Sequence, residues 1–265
     1  MPSADQILKR TGHRPWALPG RPWRWSQGWR NLLFCHWSVP VQALRSSVPL
    51  SLEIDLKEGT AWVSLVAFHM CHVRPRWLPP FPPVSDFLEL NLRTYVRLDD
   101  KPGVFFLSIH ANKRLAVRVA RWFSPLPYAY ARMKCSQERD EFRFQCTSTD
   151  QKEVAFVANY TLESEEYSAR RDPLSKWLLE RYCLYVGDPR GGLIRTEVHH
   201  DPWVVREVAL EISSNILGRA LGLDLSPKPD RAHFSSGVQA LAWPFESEIK
   251  NPKSEIPKAE SLATD

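Results

Sequence analysis

Hydrophobic and polar residues alternate almost completely between Phe87 and Leu98. Successive side chains of a β-strand point to opposite faces, so this alternation predicts a strand with two chemically different faces. One face carries Leu88, Leu90, Leu92, Thr94, Val96 and Leu98. The other carries Phe87, Glu89, Asn91, Arg93, Tyr95 and Arg97. The strand therefore has one apolar face and one face rich in hydrogen-bonding and charged groups.

Similar patterns predict a mainly β protein with a few helices. Further strands are expected at residues 52–56, 61–73, 104–111, 128–134, 141–149, 153–162, 193–200, 204–212 and 237–243. Asn112 is the expected N-cap of a helix at 113–123, in which Leu115, Val119 and Trp122 share the apolar face. Asp172 followed by Pro173 predicts a helix that continues to about residue 186, and a shorter helical stretch is expected near 213–221.

The distribution of proline, tryptophan and charged residues along the chain predicts one domain with an extension at each end. Residues 1–28 alternate tryptophan with proline and are expected to form an irregular arm that packs on the body. Residues 29–245 are expected to form a single β domain, because all-β domains often reach this length. Residues 246–265 are charged and have little to bury, which predicts a disordered tail.

Composition excludes several functional classes. The net charge of +5 favours anionic partners only weakly, because acidic and basic residues are mixed along the chain. The odd number of scattered cysteines predicts reduced thiols. Neither a signal peptide nor a long apolar segment is recognised, so we expect a cytoplasmic protein without membrane contact. No P-loop, GxGxxG, GxSxG or HExxH motif occurs, so the corresponding enzyme classes have no support and no cofactor is expected. His69 and Cys71 share one face of a predicted strand while His72 takes the other, so no metal is expected there.

The polar face of the Phe87–Leu98 strand has two interpretations. A half-buried antiparallel strand commonly exposes its polar face to water. Asn, Arg and Tyr around a single Glu are, however, unlike a solvated face and suit an enclosed polar site. We therefore predict that Glu89 and Arg93 point into a pocket, with Asn91 and Tyr95 beside them.

Several short runs resemble the YqjF-like family of uncharacterised bacterial proteins. They are FCHWSVP at 34–40, ELNLRTYV at 89–96, PGVFF at 102–106, AR at 120–121, LPY at 126–128, ERY at 180–182 and HHDPW at 199–203. The resemblance covers most of the chain and implies the acetoacetate decarboxylase-like fold, a closed or cone-shaped antiparallel β-barrel with a ligand cavity. It also implies that Glu89 lies near an active-site glutamate of that enzyme.

The same resemblance argues against imine chemistry. In the enzyme an Ala-Arg pair leads to Phe-Pro-Lys-Lys and a lysine forms a Schiff base, whereas here Tyr128 and Ala129 stand where the lysines are expected. Tyr128 and Tyr130 share a strand face with Arg132 and are candidates to donate hydrogen bonds to a carbonyl or carboxylate group. Aromatic packing along the wall explains each tyrosine equally well.

Other charged residues also have two interpretations. Arg181 either packs its stem on Trp177 or reaches a ligand from a covering helix. Arg121 is a candidate substrate-orienting residue, but with Arg114 and Arg118 it also forms a basic stripe that either binds nucleic acid or is a solvated helix face. The second interpretation is favoured, so we do not expect a nucleic-acid partner.

Two hypotheses for function remain. The first is a lyase- or hydrolase-like enzyme that acts on a small carboxylate or carbonyl compound, with Glu89 and Tyr128 as catalytic residues. The second is a non-catalytic small-molecule binding protein on the same scaffold. The remaining candidates are ligand-binding residues: Asn91, Arg93, Tyr95, Arg121, Tyr130, Arg132 and Arg181. The sequence leaves a homo-oligomer open.

Overall fold

The computed structural model describes residues 2–148, 155–188 and 192–249. Its α-helices are α1 (Ala4–Leu8), α2 (Val41–Arg45), α3 (Pro82–Ser85), α4 (Arg114–Phe123) and α5 (Pro173–Leu179). Its strands are β1 (Trp25–Val39), β2 (Glu53–Ile54), β3 (Ala61–Pro75), β4 (Phe87–Leu98), β5 (Lys101–Ala111), β6 (Tyr128–Glu138), β7 (Glu141–Ser148), β8 (Ala155–Leu162), β9 (Tyr167–Ser168), β10 (Cys183–Asp188), β11 (Gly192–His199), β12 (Val204–Val205), β13 (Val208–Asn215), β14 (Arg231–Ala242) and β15 (Glu246–Ile249). The prediction of a mainly β protein with a few helices is confirmed.

Most strands belong to one large sheet with the order β13-β8-β7-β6-β5-β10-β11-β14-β1-β3-β4-β2. β4 also pairs with β5, so the path from β5 through β10, β11, β14, β1, β3 and β4 returns to β5. β5 runs parallel to both β6 and β10, which makes the sheet mixed. The expectation of a purely antiparallel sheet is therefore wrong. The physical reason for the β5–β6 pairing is α4, which connects the end of β5 to the start of β6 and returns the chain so that both strands run in the same direction.

β4 has the predicted bounds and lies between β3 and β5. Both of its faces are buried. Leu90, Leu92 and Val96 belong to one apolar cluster, whereas Phe87 and Tyr95 belong to a second cluster on the other side of the sheet. Glu89, Asn91 and Tyr95 are therefore enclosed, whereas Arg97 near the end of the strand is exposed.

The first 28 residues are less irregular than expected. Ser3 and Gln6 form a capping box around α1, and Ile7 of this helix is fully buried. β1 already begins at Trp25 and runs for 15 residues between β14 and β3. The expected boundary at residue 29 therefore falls inside a central strand.

Bulges explain why the alternation of β1 was hard to recognise. Asn31 has a φ of +50° and is an extra residue relative to β3, so the side chains before and after it change parity. Gly237 of β14 lies opposite this bulge with a φ of +120°, and a Cβ there would lie 1.9 Å from the carbonyl oxygen of Trp29. His72 in β3 has a φ of +52° at a second bulge. The pairing of β4 with β5 also shifts by one residue, between Leu92 and Arg93.

α4 differs from the prediction in its cap and its buried face. Asn112 does not cap the helix, because its side-chain oxygen accepts a hydrogen bond from the backbone of Leu88. Leu115 and Trp122 are exposed, and the helix instead packs through Ala116 and Val117. The buried face of α4 is therefore not the one that the spacing of its large apolar residues predicts.

The second half of the chain also contains differences. Asp172 caps α5 as expected, but the helix ends at Leu179, and residues 183–188 form β10. Residues 208–215 continue as β13 where a helix was expected to begin.

The C-terminal region departs from the expected tail at its start. Glu246–Ile249 forms β15, which pairs with β11. The rest of the expected tail, 250–265, lies outside the described residues. Among the helices that the structure describes, none has the length and apolar character needed to cross a membrane.

Candidate functional site

A cavity of about 170 Å³ lies between the inner face of the sheet and α4. Its walls come mainly from β1, β3, β4, β5 and α4. Aromatic rings dominate the lining, among them Trp25, Trp29, Phe34, Phe68, Phe106 and Trp203. The bulge in β1 is what allows residues of both parities, such as Trp29 and Phe34, to reach the same cavity.

The polar end of the cavity is built on β4. Glu89 and Asn91 line it and are each 3% exposed. The amide of Asn91 donates a hydrogen bond of 3.1 Å to Oε1 of Glu89. The hydroxyl of Tyr128, at the start of β6, donates one of 2.8 Å to Oε2. Both carboxylate oxygens of Glu89 therefore have a hydrogen-bond donor, one from β4 and one from the start of β6.

Burial raises the pKa of the Glu89 carboxyl to about 7. The hydrogen bonds from Asn91 and Tyr128 and the positive charge of Arg93 oppose this rise. Burial, together with the neighbouring Glu89, also raises the pKa of the Tyr128 phenol well above its ordinary value. Near neutral pH Glu89 can therefore exist with or without its proton, while Tyr128 stays a hydrogen-bond donor.

Arg93 lines the cavity two residues beyond Asn91 on the same face. Its guanidinium lies 5.9 Å from the ring centre of Phe34, and its Nε atom is buried without a hydrogen-bond partner among the described residues. No carboxylate in the described part of the chain forms an ion pair with it. Burial lowers the pKa of Arg93, which Tyr95 and Glu89 partly offset. Among the described residues, the cavity thus contains a cation that lies near Glu89 but forms no ion pair with a carboxylate.

Tyr95 and Arg181 lie next to the cavity rather than in its lining. The Tyr95 hydroxyl is hydrogen-bonded to Oγ of Ser64, which is in turn hydrogen-bonded to Nδ1 of His36. Burial raises the pKa of Tyr95 and lowers the pKa of His36 well below its ordinary value. Arg181 lies over the ring of Tyr95 and forms an ion pair of 2.6 Å with Asp55. These groups support the rear of the site through a buried polar network.

The other predicted ligand-binding residues are not brought to the cavity. Arg121 is exposed and donates from Nε to the backbone oxygen of Tyr128. Tyr130 packs under the guanidinium of Arg114, and Arg132 is exposed on β6. The tertiary structure therefore gathers Glu89, Asn91, Arg93 and Tyr128 and leaves the remaining candidates outside. Their roles in binding stay predictions.

Sequence reasoning missed the aromatic lining and the His36 network. Trp25 and Trp29 were assigned to the arm and its border, although Trp25, Gln27 and Trp29 recur at every second position, which is a strand signal. His36 is a single histidine within an apolar strand, a pattern that carries no signal of its partners. No group of three or more His, Cys, Asp or Glu residues in the described ranges is arranged to hold a metal ion.

Comparisons with solved structures show the fold. An acetoacetate decarboxylase from Legionella pneumophila is 13% identical with a TM-score of 0.61, covering 93% of this chain and 96% of that one. The enduracididine biosynthesis enzyme MppR, solved with pyruvate, is 15% identical with a TM-score of 0.61, covering 88% and 93%. An acetoacetate decarboxylase-like enzyme from Sphingomonas wittichii RW1 is 12% identical with a TM-score of 0.62, covering 91% and 98%.

Comparisons of sequence show the family. Residues 26–239 match the family DUF2071, described as an uncharacterized conserved protein. The uncharacterized protein YqjF of Bacillus subtilis is 40% identical over 229 residues, which span 86% of this chain and 94% of that protein. The chain therefore belongs to the DUF2071 family, and it has the acetoacetate decarboxylase-like fold that the resemblance implied.

Proposed function

We propose that the protein binds a small carboxylate or carbonyl compound in this cavity and that Glu89 exchanges a proton with it. The observation that carries the proposal is the pairing of a buried carboxyl whose pKa is about 7 with an arginine that lacks a described carboxylate partner. Both groups face the same apolar cavity. Water-poor surroundings strengthen the attraction of Arg93 for a ligand anion.

The residues support one specific reaction class. Arg93 donates hydrogen bonds to an oxygen of the bound compound, and the Glu89 carboxylate accepts a proton from the carbon next to its carbonyl group. The electron pair of the broken C–H bond moves to the carbonyl oxygen, and the resulting enolate is stabilised by Arg93. Glu89 then returns the proton. A carboxyl with a pKa near the operating pH is suited to both directions of this transfer.

This chemistry differs from that of a lysine imine. Tyr128 occupies a position where lysine was expected, and its hydroxyl is committed to Glu89. No lysine belongs to the cavity lining formed by the described residues. We therefore expect no stable protein adduct when the protein is treated with acetoacetate and borohydride, and an adduct observed by intact mass would contradict this part of the proposal.

A non-catalytic binding protein is the second candidate. It is favoured by the hydrogen bonds that Asn91 and Tyr128 already donate to both oxygens of Glu89, because a fully hydrogen-bonded carboxylate is a weaker base. In that case the same four residues fix a ligand and no bond is broken.

Two measurements on the full chain separate these candidates. Calorimetric titration with acetate, pyruvate and acetoacetate detects binding, and proton NMR in D2O detects exchange of the pyruvate methyl hydrogens. An enzyme accelerates exchange by about 100-fold or more over buffer, and Glu89→Gln abolishes this acceleration. The exposed variant Glu138→Gln serves as a control that retains it. Binding without exchange identifies the second candidate. Absence of binding at millimolar concentration by all three compounds and by their phenyl-substituted analogues rejects both.

Two finer statements belong to the same proposal. We propose that the strands from β5 through β10, β11, β14, β1, β3 and β4 close around the cavity as a barrel, which the return of the pairing path to β5 supports. We also propose a cytoplasmic location, supported by free and mostly buried cysteines.

A further inference from the structure

We infer that the natural ligand carries one apolar ring, or an apolar group of similar size, attached to its carboxylate. This inference rests on the proposed function and narrows the class of compounds that the site accepts. The polar end of the cavity explains recognition of an anion, but it accounts for only a small part of the lining. The larger apolar part needs a ligand group of its own.

The aromatic walls form a preorganised surface. Trp29 stacks on Trp203 with 6.1 Å between ring centres and meets the ring of Phe68 edge to face at 6.3 Å. Phe34 meets Trp203 edge to face at 5.1 Å. Rings held by other rings lose little freedom when a ligand binds, so the binding cost is small. Offset and edge contacts to a further ring are favourable in the same way.

The size of the cavity limits the apolar group. A cavity of about 150 Å³ lined by apolar side chains stays dry and accepts benzene. The present cavity is about 170 Å³, which leaves room for one ring and a short polar head. A fused multi-ring compound or a long acyl chain exceeds this space, whereas acetate or pyruvate leaves most of the apolar wall without a contact.

The exposure of the lining indicates the orientation of the ligand. Glu89 and Asn91 are almost fully buried, whereas Phe123 at the C-terminal end of α4 lines the cavity and is 52% exposed. The ring of Phe123 lies 6.1 Å from that of Trp25, which is partly exposed. A ligand therefore places its carboxylate inward against Arg93 and its ring outward between these aromatic side chains.

Matched pairs of compounds test the inference on the full chain. Calorimetric titration compares pyruvate with phenylpyruvate and acetate with phenylacetate, and benzyl alcohol provides a ring without a carboxylate. We expect the ring to tighten binding by about tenfold or more in both pairs, because it removes a Phe-sized apolar surface from water. Benzyl alcohol is expected to bind more weakly than phenylacetate.

A variant pair then tests where the ring lies. Ala120 lines the cavity from α4, so Ala120→Phe fills the space and is expected to remove the advantage of the ring compounds. Leu115→Phe changes an exposed position of the same helix and is expected to keep it. If Ala120→Phe does not fold, the wild-type comparison of the pairs still decides the question.

Each outcome has a separate meaning. If pyruvate and acetate bind but their ring-bearing partners bind no tighter, the inference is overturned while the proposed function stands. If none of the four carboxylates binds, the proposed function itself is overturned. If the ring advantage is present but survives Ala120→Phe, the ring binds elsewhere and the inference is also overturned.

Discussion

Arg93 and Arg181 approach the same Tyr95 region from different elements but have different partners. The guanidinium of Arg181 forms an ion pair of 2.6 Å with Asp55 and lies 4.2 Å from the ring centre of Trp177. Arg93 faces the cavity, where its described counterparts are the ring of Phe34, the hydroxyl of Tyr95 and the charge of Glu89, and it forms no ion pair with a described carboxylate. Burial lowers the pKa of both arginines.

The difference distinguishes a structural cation from a ligand-binding one. A buried charge is tolerated when a carboxylate and aromatic faces surround it, as they surround Arg181. A buried charge without such a partner costs stability and is retained when function requires it. The comparison predicts that disturbing Arg181 affects folding, whereas disturbing Arg93 affects binding.

The largest expected effect comes from removing the partner of Arg181. Asp55→Asn leaves the Arg181 charge buried without its carboxylate and also removes the ion pair with Arg97. We expect the free energy of unfolding in urea to fall by about 3–5 kcal/mol. Asp140→Asn, which breaks an exposed pair of 3.6 Å with Arg206, is the control and is expected to lose less than about 1 kcal/mol. Equal losses in the free energy of unfolding for the two variants would mean that burial of the Asp55–Arg181 pair does not increase its contribution to stability.

The next effect concerns the pH dependence of stability. The folded pKa of Glu89, about 7, lies above its ordinary value of 4.5, so folding favours the protonated form. The stability that this group contributes is complete below pH 4.5 and is lost as the pH rises through about 7, a change of about 3 kcal/mol. Glu89→Gln cannot ionise and is therefore expected to gain stability relative to the wild type over this range. Parallel stability curves from pH 4.5 to 8 would show that Glu89 is not perturbed.

A smaller effect on stability but a clear effect on binding is expected for Arg93. Arg93→Met keeps much of the side-chain volume and removes the charge, so we expect the free energy of unfolding to change by less than about 1 kcal/mol. The affinity for pyruvate is expected to fall by about 10- to 100-fold, because a charged hydrogen bond is lost. A variant that unfolds as readily as Asp55→Asn and still binds pyruvate would reverse the assignment of the two arginines.

The smallest expected effect is that of the Tyr128 hydroxyl. Tyr128→Phe removes one donor to Glu89, which costs about 1 kcal/mol and raises the pKa of the Glu89 carboxyl further. The midpoint of the pH-dependent stability loss should therefore move to higher pH. Tyr130→Phe changes a tyrosine outside the cavity lining and should leave this midpoint where it is. An unchanged midpoint in Tyr128→Phe would show that the hydrogen bond does not control Glu89.

β4 shows which features of the site a local sequence pattern can predict. The alternation between Phe87 and Leu98 was sufficient to predict the bounds of β4 and to place Glu89, Asn91 and Arg93 on one face, because strand geometry fixes that relation. Its residue types also predicted an enclosed site. Tyr128 was named as a candidate from the resemblance, although its bond to Glu89 joins residues 39 positions apart.

Other parts of the site depended on long-range geometry. Arg121 and Arg132 have the same chemistry as Arg93, but Arg121 lies on the exposed side of α4 and Arg132 on the exposed face of β6. The length of α5 was overestimated, so Arg181 lies in a connection before β10 rather than within a helix. Propensity does not decide such cases, because the pairing of β10 with β5 and β11 overrides it.

The sequence by itself determined the mainly β class, the bounds of β4, the face shared by its polar residues and the family. Only the tertiary structure decided the parallel pairings of β5 and the composition of the cavity wall. The connection through α4 sets the parallel pairing of β5 with β6. The cavity wall depends on the bulges at Asn31 and His72 and on the register shift of β5, each of which moves side chains to the opposite face. A bulge is defined by the pairing with a neighbouring strand, and a local sequence pattern does not predict which strand that is.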